Sequence, residues 1–141
     1  MVCTFFGHKD APNSIRDDLK KEITNLIQEG YDRFLVGNQG NFDAMVRSVL
    51  KELTKKFPSI KYSVILAYMP GIKKDFYFDY SDTVFPDALA GIHPRYAISH
   101  RNDWMLKQAD TIIIYITRSY GGAAKYAEAA YRRGKRVINL A

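Results

Sequence analysis

The chain has 141 residues, of which 47% are hydrophobic and 26% charged, with a formal net charge of +6. That length sets one domain, residues 1–141, with room for a substantial core. There is no apolar run long enough for a membrane helix and no basic-then-apolar leader, and the lone cysteine, Cys3, excludes an intrachain disulfide framework; the expected compartment is the cytoplasm.

Val2 to Phe6 is a short apolar run ending at Gly7-His8 and predicts a buried first strand. Asn13-Ser14 then opens a helix, with Ser14 and Asp17 at the spacing of a capping box. Ile15, Leu19, Ile23, Leu26 and Ile27 recur at helical spacing as one buried stripe, and Gly30 ends it. Phe34 to Val36 is the second strand, closed by Gly37-Asn38-Gln39-Gly40. Asn41 is the expected cap of a helix whose apolar positions are Phe42, Met45, Val46, Val49, Leu50 and Leu53, with Pro58 as its stop. Tyr62 to Tyr68 is a third strand.

Residues 69–95 are less regular, with Pro70, Pro86 and Pro94 and the aromatics Phe76, Tyr77, Phe78, Tyr80 and Phe85. Thr83 to Phe85 fits a short strand, and the rest reads as a long loop of the kind used as a ligand lid or partner surface. Tyr96 to Gln108 reads as a helix, Thr111 to Thr117 as a β-branched strand, and Gly121-Gly122 as a turn into an alanine-rich helix. Val137 to Leu140 closes the chain as a strand. Strands alternating with helices imply an α/β fold: a mainly parallel sheet flanked by helices on both faces.

In such a sheet the turns that follow strands share one edge, where ligands bind at the switch in strand order. Three glycine-bearing turns fall there: Gly7-His8, Gly37-Asn38-Gln39-Gly40 and Tyr120-Gly121-Gly122. Glycine lets backbone N–H groups approach a ligand closely, and a helix start adds a positive dipole end, so the last turn suits an anion. Glu128 shares a helix face with Ala124, and helical side chains lean toward the N-terminus, which aims its carboxylate back at the turn; a solvated glutamate serves the spacing equally well. Arg101 and Met105, at i and i+4, offer a guanidinium for a phosphate, although spacing alone favours a solvated arginine. His8 is a candidate phosphate donor or a turn-stabilising residue, and Asp43 a candidate for ribose hydroxyls or for the helix dipole. Cys3, Trp104 and Met105 read as apolar core residues.

Three histidines and one cysteine without ligand spacing point to neither a metal nor a cofactor. The sequence has no GxxxxGK[ST], no GxGxxG and no GxSxG run, which disfavours ATP hydrolysis, hydride transfer and serine hydrolysis. The basic balance, with pairs at Lys20-Lys21, Lys55-Lys56 and Lys73-Lys74, suits phosphate-bearing partners. It is spread along the chain, so it points only weakly to nucleic acid.

Four segments in this order, CTFFGHKD, VGNQGNFDAMV, HRNDWMLKQADTIIIY and YGGAAKYAEAAYRRGKRVINL, resemble the SLOG superfamily. This Rossmann-like group includes the lonely-guy enzymes and the DNA-uptake processing proteins, and the resemblance is to its small single-domain bacterial and phage members. In the lonely-guy enzymes an Arg-Lys-x-x-Met and a Pro-Gly-Gly-x-Gly-Thr-x-x-Glu segment cleave the N-glycosidic bond of a nucleoside 5′-monophosphate. By that pattern Arg101 and Met105 match the first segment, with Asn102 in place of the lysine. Gly121, Gly122 and Glu128 match the second, with Tyr120 for the proline and Ala124-Lys125 for Gly-Thr. The resemblance therefore implies a nucleotide-derived, phosphorylated ligand held by a sensor or sequestering module, with Arg101 and Lys125 on phosphate. The alternative is a phosphoribohydrolase with Glu128 and Arg101 as catalytic residues. DNA binding ranks third, and the resemblance also implies a homo-oligomer.

Overall fold

The structure is a computed structural model and describes residues 1–69 and 82–141. The aromatic cluster Phe76, Tyr77, Phe78 and Tyr80, read above as part of a lid or partner surface, lies outside the described residues.

Six strands are described: β1 (Val2–Gly7), β2 (Arg33–Val36), β3 (Lys61–Ile65), β4 (Thr83–Val84), β5 (Thr111–Tyr115) and β6 (Arg136–Asn139). The helices are α1 (Arg16–Gln28), α2 (Gly40–Lys56), α3 (Pro94–Gln108) and α4 (Gly122–Arg132). The strands form one sheet in the order β4-β3-β2-β1-β5-β6, and every neighbouring pair is parallel. Among the described residues, no helix is long and apolar enough to cross a membrane.

Strand alternation divides the core into two layers. Cys3, Phe5, Phe34, Val36 and Ile113 point to one face and pack with Leu19, Ile23 and Leu26 of α1 and Phe42, Val46, Val49 and Leu53 of α2. Phe6, Leu35, Ile65, Ile112 and Ile114 point to the other and meet Met105 and Leu106 of α3 and Tyr126, Ala127 and Ala130 of α4. Phe6 stacks on Tyr126 with ring centroids 5.4 Å apart. The Tyr126 hydroxyl donates to the Ser99 carbonyl at 2.9 Å, which ties α4 to α3. Cys3 is fully buried, and desolvation pushes its thiol far above the usual range, so it is a core residue without thiolate character.

Two expected caps are absent. Ser14 sits in a 3-10 turn (Asn13–Ile15), α1 starts only at Arg16, and its first residues carry no side-chain cap. Asn41 lies inside α2, where its amide donates to the Ala11 carbonyl at 2.7 Å and to Asn13 Oδ1 at 2.9 Å. The Asn41 side chain is drawn to a tertiary contact between the β1–α1 loop and α2, which competes with local capping.

The chain fills the sheet outward from β1 through β2 and β3 to β4, then returns to lay β5 against the other side of β1. The loops after β1 and β5 thus diverge to opposite sides, and a crevice opens between them at the strand ends.

Candidate functional site

A cleft of about 370 Å³ occupies that crevice. Phe6, Gly7, His8 and Lys9 line it from β1, Arg118 and Gly121 to Ala123 from the loop and helix after β5, and Gln39 and Asp43 from the start of α2. Ile98, Arg101, Asn102 and Met105 of α3 complete it.

Arg101 is not the solvated arginine that its spacing favours. It is 2% exposed. Its Nη1 donates to the Ile65 carbonyl at 3.1 Å and to Asn38 Oδ1 at 3.2 Å, and its Nε donates to Asn102 Oδ1 at 2.8 Å. Three partners from three elements fix the fork against the end of the sheet. Burial draws its pKa down, and the Asp43 carboxylate opposes that shift, so the group keeps its charge.

Gly37 makes this arrangement possible. A methyl group on it would lie 2.8 Å from Asp43 Oδ2 and 2.9 Å from Arg101 Nη1. Asp43 Oδ2 accepts the Gln39 N–H at 2.9 Å. Burial pushes its carboxyl up to about 6, against the Gln39 hydrogen bond and the Arg101 charge, which both pull it down. Gly7 and Gly40 serve close packing instead: a methyl on Gly7 would meet the Phe42 ring at 2.3 Å, and one on Gly40 the Lys9 backbone at 2.6 Å.

His8 is buried, and its Nε2 accepts the Thr117 N–H at 3.0 Å. Desolvation, reinforced by Arg118, lowers its pKa, so the ring is neutral and its remaining proton sits on Nδ1. The histidine therefore joins the β1 loop to the β5 loop and brings no positive charge to the cleft.

The opposite wall is open. Gly121 has φ +99° and leads into α4, and among the described residues nothing lies within 4 Å of a methyl group built on Gly121 or Gly122. The first residues of α4, whose N–H groups have no partner within the helix, line the cleft together with Arg101. Tyr120 is exposed, with the Arg118 guanidinium 5.4 Å from its ring centroid.

Gly37, Asn38 and Gly40 line an adjoining depression of about 350 Å³, shared at Asp43. Glu128 and Lys125 are not brought to the cleft. Glu128 is 73% exposed, reaches Arg132 at 4.0 Å, and lines a third depression with Ile116, Tyr131 and Asn139. Lys125 is exposed, with Nζ 5.6 Å from the Tyr126 ring. Ala124, Ala127 and Ala130 turn the buried face of α4 to the sheet, and that phase carries positions 125 and 128 outward.

Lys9 and Arg118 belong to the cleft but were passed over in the sequence. Each sits within a few residues of a glycine turn on the ligand edge, a placement that could have marked both. Among the described residues, no group of three or more His, Cys, Asp or Glu side chains could hold a metal ion.

The model of the YspA SLOG family matches residues 2–137. The chain belongs to that family. No curated protein matches it. Among solved structures, DNA processing protein A from Streptococcus pneumoniae superimposes with a TM-score of 0.71 at 14% identity, covering 97% of this chain and 49% of that one. DNA processing protein A from Helicobacter pylori, described for its single-stranded DNA binding mode, gives 0.64 at 11% identity, over 99% and 64%. The chain thus spans about half to two thirds of those proteins, and at such identity the likeness is one of fold.

Proposed function

We propose that residues 1–141 form a single ligand-binding domain that holds a nucleotide-derived, phosphorylated small molecule, as a sensor or sequestering module. One observation carries this reading: a buried, charged arginine faces an unobstructed glycine helix start across a cleft at the strand-order switch. Both groups attract an anion, and the glycine start of α4 meets no described neighbour on its own side of the wall. The apolar floor formed by Phe6, Ile98 and Met105 suits a base or sugar face.

Family membership supports the nucleotide class, and the ring of glycine turns supports a phosphate. The phosphoribohydrolase reading needs a carboxylate at the sugar, and Glu128 lies in a different depression. The carboxyl within reach of the cleft is Asp43. DNA binding draws on the +6 charge and on the fold shared with the DNA processing proteins. A homo-oligomer in the cytoplasm belongs to the same proposal.

Native mass spectrometry of freshly purified protein, followed by calorimetric titration with AMP, tests the reading. A retained nucleotide mass, or AMP binding weakened about tenfold or more by Arg101→Ala, supports it. Release of free adenine abolished by Glu128→Gln would replace it with the enzyme. Salt-sensitive retention of single-stranded DNA, with no affinity for AMP, would replace it with DNA binding.

A further inference from the structure

Arg118 stands at the mouth of the cleft, between the β1 loop and the α4 turn. Its two Nη atoms donate to Asp10, at 3.1 Å to Oδ1 and 3.3 Å to Oδ2. Asp10 is 71% exposed, so the carboxylate that holds Arg118 stands largely in water. The Asp10 pair pulls the carboxyl pKa down and pushes the guanidinium up, so both partners are charged. Arg118 Nε is buried and, among the described residues, is the one buried side-chain nitrogen or oxygen without a hydrogen-bond partner. The guanidinium thus commits one N–H of each Nη to an exposed carboxylate while its Nε–H goes unmet.

An unmet buried donor carries a desolvation cost. It resolves if Arg118 rotates toward an anion with oxygens enough for Nε and one Nη together, the side-on fork that phosphate accepts. Such an anion would sit at the start of α4, which Arg118 and Gly121-Gly122 border together. We propose that Arg118 is a phosphate-binding residue of the cleft and that Asp10 is its built-in competitor, an internal carboxylate that the ligand phosphate displaces. The inference rests on the nucleotide-binding reading above and adds a residue and a selectivity to it. A dianionic terminal phosphate displaces a monoanionic carboxylate more readily than a monoanionic phosphodiester does. The cleft is therefore tuned to phosphomonoesters.

The test is a double-mutant cycle read by calorimetric titration with AMP, and with 3′,5′-cyclic AMP as the phosphodiester of the same nucleoside. Arg118→Gln weakens AMP binding about tenfold, and Asp10→Asn tightens it several-fold. In the Arg118→Gln background, Asp10→Asn brings no gain, because the competitor has lost its target. Wild type prefers AMP to the cyclic diester. If AMP binds and the two substitutions add, Asp10 acts only through its charge and the competitor role falls, while the nucleotide reading stands. If AMP binds and Arg118→Gln leaves it unchanged, Arg118 is no ligand and the inference falls alone. If AMP and the cyclic diester both fail to bind wild type, this inference and the nucleotide reading fall together.

Discussion

Arg101 and Gly122 face one cleft from opposite walls, yet a methyl group added beside each would meet very different surroundings. Beside Arg101, on Gly37, it would run into the Asp43 carboxylate and the guanidinium itself; on Gly122 it would meet none of the described residues within 4 Å. The α2–α3 wall is already full, and its charged groups are held by neighbours from β2, β3 and α3. Among the described residues, nothing fills the space around Gly121 and Gly122 on the α4 wall. A binding site divided this way keeps its charge in a fixed frame and leaves its docking surface bare, so a ligand does not have to reorganise the frame to bind.

The contrast breaks first at the glycines. Gly7→Ala pushes a methyl into the fully buried Phe42 ring, and urea unfolding should show a loss of about 1–3 kcal/mol. Gly122→Ala has space and no positive φ, so the same measurement should show no loss, or a gain of about 0.4–1 kcal/mol. Titration with AMP should nevertheless weaken for Gly122→Ala, because the methyl stands where the phosphate approaches. A glycine whose replacement spares the fold and harms binding is there for the ligand.

Acidity sharpens the frame side. Asp43 holds its proton more tightly folded than unfolded, at about 6 against an ordinary 3.8. Its contribution to stability is therefore full below pH 3.8 and is lost as pH rises through 6. Asp43→Asn removes the buried charge while keeping an oxygen for the Gln39 N–H. Thermal unfolding should show the variant more stable than wild type at pH 7.5, with the difference closing below about pH 4.

The smallest effect is expected at Glu128. Glu128→Gln loses a 4.0 Å contact between two exposed groups, so stability should shift by less than about 0.5 kcal/mol and AMP affinity should hold. A large loss of affinity would move the site toward the third depression.

Much of this was legible in the chain. Strand spacing foretold the parallel sheet with helices on both faces, the three glycine turns that follow strands at one edge of it, and even the two-residue β4. What escaped was set by neighbours far away in sequence. Ser14 and Asn41 have capping chemistry, but a loop contact claims the region. Arg101 sits on a helix whose pattern resembles a solvated face, and only the ends of β2 and β3 bury it. For Glu128 the rotational phase of α4 decides which depression it reaches. The partner of Arg118, Asp10, is 108 residues away.

The central claim is that an anionic nucleotide docks at the start of α4 opposite Arg101. Amide NMR of the assigned protein, titrated with AMP, tests it most directly. The account predicts the largest shifts at the N–H groups of Gly121, Gly122 and Ala123, lost in Arg101→Ala. Saturable shifts confined to the β6 edge or to the depression around Glu128, with those three amides unmoved, would contradict it.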